Sequence, residues 1–410
     1  MIPVTREAVN SRDETSTTNA GDSGRVPIYL NAASTGPIPE RAVRAMAAFN
    51  AKRAAPWTIT LHDQLGTLST TRALCARLIG ARPDEIALVP NTSTGIHIAA
   101  SALPIEQGQV ILGHESEFPA NVYPWLALAR RSGIRYETVP LAANGLPDHD
   151  ALLVRLARGD VGLVAMSWVS YLSGDRADLA AIGDACRAAN AWFVVDAIQG
   201  LGAARLDVSR LPVDVLTCGG QKWLRGPWGS GFCYMRRELV QRLDPGTGGW
   251  LSVLGSEDLG RADPPELMYL KDARRFEVAT LAYQDFVGLN ASLEVFFETG
   301  AEHIEQRVTH LATRLAEGLA RQRCVRLVTS LDPARRAGIV SCFALDPDVR
   351  SRLAAADVVY SARECTFRTL RGSLIRFSPH VYNTDDDINQ AVAAIGDKSS
   401  ATRRPVPQTS

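Results

Sequence analysis

Short apolar runs alternate with amphipathic segments between residues 86 and 235. The runs that predict buried strands are Ile86–Val89, Gln109–Leu112, Val161–Met166, Ala191–Val195, Val213–Leu216 and Gly231–Met235. A helical stretch begins near Gly95, and Leu179–Ala189 carries apolar residues at helical spacing. Apolar strands alternating with helices predict an α/β fold whose large domain has a mostly parallel sheet, of the seven-stranded type, covered on both faces. In such sheets, ligands bind at the carboxyl ends of the strands.

The pattern changes near residue 281. Two long helices are predicted over Gln284–Glu298 and His303–Arg321, and short strands around 325–329, 338–344 and 357–361. We therefore predict a large domain over 26–280 and a smaller α+β domain over 281–397, with the first segment of the large domain packed beside the small one. Residues 1–25 and 398–410 are polar and lack periodicity, so we expect two disordered tails.

Composition and charge exclude several functions. The 410 residues include 44 Lys+Arg and 44 Asp+Glu, and this zero net charge gives no support for a nucleic-acid partner or an anionic membrane. The seven cysteines are odd in number, form no CxxC pair and fit no zinc spacing, so we predict no metal and reduced thiols. The first 25 residues lack the apolar core of a signal peptide, and no apolar run approaches the length of a membrane span. We expect a soluble cytoplasmic protein.

A carboxylate and an amine lie close to the ends of two predicted strands. Asp196 ends one strand, and Lys222 follows the next within a glycine-rich turn. A buried carboxylate stabilises a nearby protonated ring nitrogen, and a lysine among apolar neighbours has a lowered pKa that favours nucleophilic attack. The alternatives are a helix-capping aspartate and a solvated lysine.

Further candidates follow other strands. Asn91–Gly95 joins a strand to a helix, where hydroxyls and backbone N–H groups suit a phosphate, although a plain N-cap explains the same residues. Phe118 lies in a strand-to-helix turn, where it could stack on a flat ring or pack in the core. Gln199 lies three residues after Asp196 and could reach a phenolic oxygen. Arg376 lies in an apolar strand-like segment and needs an anionic partner, either a substrate carboxylate or a structural acid.

Together these residues match the demands of pyridoxal 5′-phosphate (PLP). That cofactor requires a lysine for its Schiff base, an acid at its pyridine nitrogen and a cradle for its phosphate. Their order and spacing also resemble the class V aminotransferase family, the fold-type I PLP enzymes that include cysteine desulfurases, selenocysteine lyases and isopenicillin N epimerase. The matching segments are Tyr29–Ala33, Asn91–Gly95, Glu117–Asn121, Val195–Gln199, Gln221–Leu224, Arg275–Thr280 and Arg376–Thr384.

The resemblance implies a role for each matching residue. Lys222 would hold PLP and shuttle protons, and Asp196 would pair with the pyridine nitrogen. The other implied cofactor contacts are Gln199 at the phenolic oxygen, Ser93 and Thr94 at the phosphate, Phe118 on the ring and Gln221 beside the lysine.

The resemblance also implies a homodimer and a substrate site. Thr280 would reach a phosphate in the neighbouring subunit, because the active sites of this family lie at a dimer interface. Arg376 would bind the carboxylate of an amino acid substrate. The other residues proposed for the substrate end are Asn31 to Ser34, Tyr171, Trp228 and Trp250, although aromatic residues near glycine turns are more often packing residues.

Several residues depart from the desulfurase pattern. Gln221 stands where desulfurases usually carry histidine, Gly219 where they carry a phosphate-binding serine, and Phe118 where they carry a stacking histidine. Desulfurases also use a nucleophilic cysteine on a mobile loop. The candidate here, Cys365, lacks the flanking pattern; the adjacent Arg363 could lower its pKa, but we interpret the cysteine as incidental.

These departures favour a lyase. We expect α,β-elimination that cleaves the C–S bond of cysteine or an S-substituted cysteine, a choice that depends largely on family analogy. We expect this cleavage to serve a specialised biosynthetic pathway. The alternatives are epimerisation, transamination, desulfuration and decarboxylation-coupled deamination. A non-catalytic binding subunit is a more remote alternative.

Overall fold

A seven-stranded sheet forms the centre of the large unit. The computed structural model describes residues 26–255, 266–367 and 370–396, so both predicted disordered tails lie outside the described residues. Across the sheet the strands are β2 (Ile86–Val89), β8 (Gly231–Met235), β7 (Val215–Gly219), β6 (Trp192–Asp196), β5 (Val161–Ser167), β3 (Val110–His114) and β4 (Arg135–Val139). Strand β8 is antiparallel to both neighbours, and the other adjacent pairs are parallel.

Helices cover both faces of this sheet, as the apolar runs predict. In β5, Leu163 and Ala165 face one apolar core, whereas Val164 and Met166 face the other. Such strands are apolar throughout because neither face meets water. The α-helices within the described residues are α1 (Glu40–Arg53), α2 (Leu61–Ile79), α3 (Thr92–Ala102), α4 (Tyr123–Ser132), α5 (His149–Leu156), α6 (Leu179–Ala188), α7 (Arg237–Arg242), α8 (Tyr283–Thr299), α9 (Ala301–Ala320), α10 (Val349–Ala355) and α11 (Asp385–Ile395).

A second sheet lies in the C-terminal part of the chain. Its antiparallel strands are, in order, β12 (Ser361–Phe367), β13 (Leu370–Phe377), β10 (Val340–Ala344) and β9 (Val325–Leu327). A separate pair joins the two ends of the described chain, because β1 (Ile28–Tyr29) runs parallel to β11 (Val358–Val359). The early segment therefore packs with the C-terminal core, in which Leu30 and Val358 are both fully buried.

Helix α8 packs on the large unit. Its residues Phe286, Leu289 and Leu293 belong to the same apolar core as Leu68 of α2 and Leu216 of β7. The boundary between residues 280 and 281 stays a prediction. Within the described residues, no helix is both long enough and apolar enough to cross a membrane.

Candidate active site

Asp196 and Lys222 face each other at the carboxyl ends of neighbouring strands. Asp196 is 3% exposed, and its Oδ1 accepts a hydrogen bond from the backbone N–H of Ile198 at 3.0 Å. Burial raises the pKa of Asp196 to about 6. Desolvation lowers the pKa of Lys222 to about 8, against the opposing attraction of the Asp196 carboxylate. The pair therefore supplies a carboxylate and an amine that both titrate near neutral pH.

The turn that carries Lys222 is fixed by backbone contacts. Gly220 donates to the carbonyl of Ser230 at 2.8 Å, and Gly226 donates to the carbonyl of Gly220 at 2.8 Å. The backbone N–H of Gly36 donates to the carbonyl of Gln221 at 2.9 Å. A Cβ at residue 36 would lie only 2.1 Å from the carbonyl oxygen of Lys222, so this approach requires glycine.

Aromatic rings lie above the Lys222 amine. Its Nζ is 5.5 Å from the centroid of the Phe118 ring. The ring of Tyr171 meets Phe118 edge-on, with centroids 5.2 Å apart. Phe118 remains 38% exposed, so part of its side chain is accessible to a ligand.

Gln199 is held at both ends of its amide. Its Nε2 donates to the carbonyl of Ala33 at 3.0 Å, and its Oε1 accepts from the indole N–H of Trp223 at 3.0 Å. The amide nitrogen has a second N–H that these two contacts do not use.

The N-terminus of α3 abuts the end of β7. Asn91 caps the helix, because its Oδ1 accepts from the backbone N–H of Thr94 at 2.9 Å and from the Thr94 hydroxyl at 3.1 Å. Thr92 joins this helix start to the lysine turn by accepting from the N–H of Gly219 at 2.9 Å. Asn91 is therefore a true N-cap, and the helix that it caps also begins beside the turn that carries Lys222. Ser93 is partly exposed there.

Arg376 reaches the site from β13. It is 4% exposed; one terminal nitrogen donates to the carbonyl of Tyr171 at 2.9 Å and the other to the hydroxyl of Ser34 at 2.8 Å. Its Nε is buried without a hydrogen-bond partner in the described chain. Burial, together with the charge of Arg363, lowers the pKa of Arg376 to about 9, so the side chain stays cationic at neutral pH. The Oδ1 atom of Asn31 is likewise buried and unpartnered among the described residues.

Three sequence candidates do not join this cluster within one chain. Thr280 is exposed, as are Trp228 and Trp250. Trp250 lines a separate groove with Arg72 and Glu277. A single subunit therefore gives these residues no contact with Lys222 that the structure describes.

The expected effect of Arg363 on Cys365 is corrected. Burial and Glu364 raise the pKa of the Cys365 thiol, and the opposing effect of Arg363 is smaller. Cys365 is half-buried and packs with Tyr171 against an apolar cluster that includes Leu374. The surroundings of Cys365 therefore favour the neutral thiol over the thiolate.

The structure adds Glu117, which the sequence offers only as the first residue of the family-matching segment Glu117–Asn121. The carboxyl of Glu117 accepts from the backbone N–H of Ser167 at 2.8 Å, from the Ser167 hydroxyl at 2.5 Å and from the amide of Asn121 at 3.3 Å. Desolvation raises its pKa to about 7. Since Ser167 pairs with Asp196 across β5 and β6, a second carboxyl lies beside the first. The sequence contains one signal that could have identified Glu117: it is an acid in a turn at the carboxyl edge of the predicted sheet.

Comparisons with known proteins agree with this geometry. The family model for class-V aminotransferases matches residues 28–391. A probable cysteine desulfurase from Aeropyrum pernix is 28% identical, over 92% of this chain and 95% of that protein. Isopenicillin N epimerase from Streptomyces clavuligerus is 27% identical, over 90% of this chain and 94% of that protein. The solved cystine C-S lyase C-DES, in complex with cysteine persulfide, is 27% identical and superposes with a TM-score of 0.81, covering 90% of this chain and 97% of that one.

The chain belongs to the class-V aminotransferase family. Membership confirms the predicted fold, that of fold-type I PLP enzymes, and it confirms the predictions of an enzyme and of PLP as its cofactor. The relatives are named for different reactions, so the family alone leaves the reaction open.

Proposed function

We propose that this enzyme cleaves the C–S bond of cysteine or an S-substituted cysteine by α,β-elimination. One observation carries the proposal. Lys222 has a lowered pKa, and it lies near enough to Arg376 of the second sheet for the charge of that arginine to act on it. The Nε of Arg376 is buried without a hydrogen-bond partner in the described chain, whereas Cys365 has a raised pKa. The site thus has groups for removing an α-proton and binding a carboxylate, without an activated thiol to accept sulfur.

The described residues fit PLP at its ring. Burial disfavours the ionised form of Asp196, and pairing with the protonated pyridine nitrogen would stabilise that carboxylate. The second N–H of Gln199 would donate to the phenolic oxygen, because its first is used by Ala33. Phe118 would stack on the ring above Lys222.

The phosphate fits at the start of α3. Ser93 would contribute its hydroxyl and backbone N–H there, where the helix dipole favours an anion. Thr94 would contribute its hydroxyl by turning it from Asn91 Oδ1 to the phosphate, while its backbone N–H keeps the helix cap. Gln221 would close the cradle beside the lysine, and Thr280 of a second subunit would complete it.

A small number of groups would carry out the C–S cleavage. PLP, when bound, withdraws electrons from the α-carbon of an attached amino acid. Lys222 would take the α-proton, a role that suits an amine whose pKa is about 8. Arg376 would hold the carboxylate, with Asn31 and Tyr171 at the side-chain end. Substrate and one water then give a thiol, pyruvate and ammonia.

Desulfuration is the main competitor, because several relatives are named probable cysteine desulfurases. That reaction passes the sulfur to a cysteine thiolate. The raised pKa and apolar packing of Cys365 support elimination instead. The solved relative C-DES, described as a cystine C-S lyase, supports the same choice.

Product analysis in deuterated water tests the proposal. We expect the PLP-loaded enzyme to convert S-substituted cysteines into pyruvate and free thiol, and Cys365→Ala to do the same. Alanine with sulfur retained on Cys365 would establish desulfuration. Intact substrate deuterated at the α-carbon would indicate epimerisation. A keto acid that keeps the substrate side chain would indicate transamination, and an aldehyde with carbon dioxide would indicate decarboxylation-coupled deamination. No PLP absorbance would leave a non-catalytic subunit.

We also propose a homodimer. Exposed apolar side chains surround the segment that leads to Thr280: Trp250, Leu254, Leu267, Met268 and Val278. A second copy would cover them, and large exposed apolar patches mark such interfaces. Light scattering should give twice the 44.3 kDa chain mass, and Leu267→Asp should shift the population towards 44.3 kDa.

A cytoplasmic location is the matching proposal for the compartment. All seven cysteines are free thiols. Disulfides are rare where thioredoxin and glutathione keep thiols reduced. Fractionation of cells that produce the protein tests this location.

A further inference from the structure

Two histidines and an aspartate, which we call the histidine chain, are joined by hydrogen bonds. His114, at the end of β3, has its Nε2 3.1 Å from the Nδ1 of His149, the first residue of α5. The Nε2 of His149 lies 3.0 Å from the Oδ2 of Asp175, and the other oxygen of that carboxylate pairs with Arg335 at 3.0 Å. His114 and Asp175 are buried. None of these side chains takes part in the C–S cleavage proposed above.

The Asp175 carboxylate fixes the direction of the histidine chain. A carboxylate can only accept a hydrogen bond, so the Nε2 of His149 carries a proton. In a neutral imidazole the other nitrogen has a lone pair, so the Nδ1 of His149 accepts from the Nε2–H of His114. Burial and the neighbouring His149 lower the pKa of His114 to about 3, so its ring is neutral and its Nδ1 is an acceptor. That Nδ1 is buried and has no hydrogen-bond partner in the described chain.

A small cavity is lined by both His114 and Glu117. Ser167, Ser170 and Tyr171 also line it. The cavity leaves about 10 Å³ for the centre of a water molecule, which is room for one water. Buried waters occupy sites that offer several polar partners. A water there would donate to the Nδ1 of His114 and accept from the Ser167 hydroxyl.

Glu117 is the carboxyl at the far side of this cavity. Its Oε2 lies 2.5 Å from the Ser167 hydroxyl, and its Oε1 accepts from the backbone N–H of Ser167 at 2.8 Å. A neutral Glu117 with its proton on Oε2 would donate to the Ser167 hydroxyl, which would in turn donate to the water. Each donor from Glu117 to His149 would then point towards Asp175. Hydrogen bonds in such a series polarise one another, so this direction favours the neutral carboxyl.

Other titratable groups face Glu117. Burial, and to a smaller extent the charge of Asp196, favour the neutral form of Glu117. Tyr136 and Tyr171 also face it, and burial, with a smaller contribution from Glu117, raises the pKa of both phenols. These tyrosines therefore remain neutral. Two neighbouring carboxyls in one buried site do not both ionise easily, so one of the pair must hold a proton.

We propose that the three residues of the histidine chain are positioning residues, which keep Glu117 neutral through one water in the cavity. Asp196 is then the ionised carboxylate that is available to the pyridine nitrogen of PLP. The histidine chain thus decides which of the two carboxyls carries the charge. This role does not depend on which bond of the substrate the enzyme cleaves.

Nitrogen NMR of protein with isotope-labelled histidine measures the direction of the histidine chain. At about pH 8, where ordinary histidines are neutral, we expect the Nδ1 of His114 to be unprotonated in the wild type. Asp175→Asn has one side-chain oxygen, which Arg335 takes, so the NH2 group faces His149. Both imidazoles should then change tautomer, and the Nδ1 of His114 should become protonated.

Infrared spectroscopy of the cofactor-free enzyme follows the Glu117 carboxyl directly. The C=O band of a neutral carboxyl that is lost in Glu117→Gln should persist in the wild type up to a midpoint near pH 7. In Asp175→Asn, the new N–H of His114 would favour the carboxylate of Glu117. The midpoint should therefore fall by about 1 pH unit, a tenfold change in the equilibrium.

Asp148→Asn is the matched control. It removes a carboxylate whose charge also acts on His114, but it leaves the direction of the histidine chain unchanged. Asparagine caps helices as well as aspartate does, so α5 should keep its N-cap. The infrared midpoint of this variant should stay close to that of the wild type.

Equal infrared midpoints in Asp175→Asn and Asp148→Asn would overturn the proposal. Unchanged NMR signals of the exposed His62 and His303 show that the variants are folded. If Asp175→Asn does not fold, the wild type alone decides. A protonated Nδ1 of His114 in the wild type, or loss of the Glu117 band well below pH 7, would equally contradict a chain that keeps Glu117 neutral.

Discussion

The indole N–H of Trp223 donates to the side-chain oxygen of Gln199 at 3.0 Å, inside the core beneath the site. An indole can only donate, so this contact fixes which end of the Gln199 amide is oxygen. The nitrogen end then faces the carbonyl of Ala33 and the pocket. The buried Trp223 therefore fixes the orientation of the Gln199 amide, whose oxygen and nitrogen could otherwise exchange places.

Removing that indole donor should destabilise the protein. In Trp223→Phe the ring remains, but the oxygen of Gln199 loses its partner in a buried environment. We expect the free energy of unfolding to fall by about 1–3 kcal/mol, measured by urea denaturation of the cofactor-free protein. Trp57→Phe is the control, because Trp57 is 82% exposed. Equal stability of the two variants would contradict the importance of the Trp223–Gln199 contact.

Lys222 should be the site of covalent cofactor attachment. Borohydride reduction of the PLP-loaded enzyme should add the cofactor mass to the peptide that contains Lys222, and Lys222→Ala should lose this labelled peptide. Lys52→Ala, at an exposed helix position, should be labelled on Lys222 like the wild type. If the Lys222→Ala protein is still labelled, with the cofactor mass on another lysine, then that other lysine is the site of attachment.

The Lys222 amine should become reactive near pH 8 in the cofactor-free enzyme. Its lowered pKa means that the neutral, nucleophilic form predominates above about pH 8. Asp196→Asn removes the carboxylate that raises this pKa, so the midpoint should move to lower pH. Labelling with an amine-selective reagent, followed by peptide mass spectrometry across pH, measures both midpoints. A midpoint above that of the exposed Lys52 would show that desolvation does not control this amine.

His380 should make the fold sensitive to acid. The backbone N–H of Val381 donates to its Nδ1 at 2.7 Å, and its Nε2 donates to the carbonyl of Trp223 at 3.0 Å, so the ring is held neutral. Burial lowers its pKa from 6.5 to about 4. Because the folded-state pKa lies below the unfolded value, the stabilisation is present above pH 6.5 and is lost as the pH falls through about 4.

Urea unfolding between pH 7 and 4 tests this sign. The contribution of His380 is on the order of 3 kcal/mol, so the unfolding free energy of His380→Gln should fall by less over this range than that of the wild type. The exposed His62→Gln variant should follow the wild type. A His380→Gln curve parallel to the wild type would refute the assignment.

The buried pair of Arg72 and Glu277 should matter for stability. Arg72 contacts Glu277 at 2.6 Å, and Glu277 also accepts from the backbone N–H of Leu88 at 2.8 Å. Arg72→Met leaves a carboxylate buried without its counter-ion, which should cost about 3–5 kcal/mol of unfolding free energy. Arg41→Met, which breaks the exposed pair with Glu298, should change stability far less. Equal losses in thermal unfolding would show that burial does not set the cost.

The large sheet was predictable because its signals are local. Continuous apolar runs such as Ala191–Val195 identify strands that are buried on both faces. The polar residue that follows, Asp196, marks the carboxyl edge where ligands bind. Glycines around Lys222 likewise indicated a tight turn, which the backbone hydrogen bonds of Gly220 and Gly226 show.

Other features depend on distant contacts and gave no local signal. The segment around Arg376 was predicted to be strand-like, and it forms the end of β13. Strand β12 was missed because it carries Arg363, Glu364 and Cys365 rather than a clear alternation of apolar and polar residues. The burial of Glu117 follows from its contacts with Ser167, fifty positions away in the sequence. Thr280 illustrates another limit: its predicted role requires a second subunit.

The pairing of β1 with β11 has a consequence for the order of events during synthesis. Ile28 pairs with Val358, which the ribosome adds 330 residues later. At roughly 5–20 residues per second, the early segment waits on the order of tens of seconds for its partner strand. Leu30 has no core to enter during that time, and Ser34 has no Arg376 to bind. The contacts around Arg376 therefore form among the last parts of the nascent enzyme, and a chain stalled before residue 376 lacks the arginine that we propose as the carboxylate-binding residue.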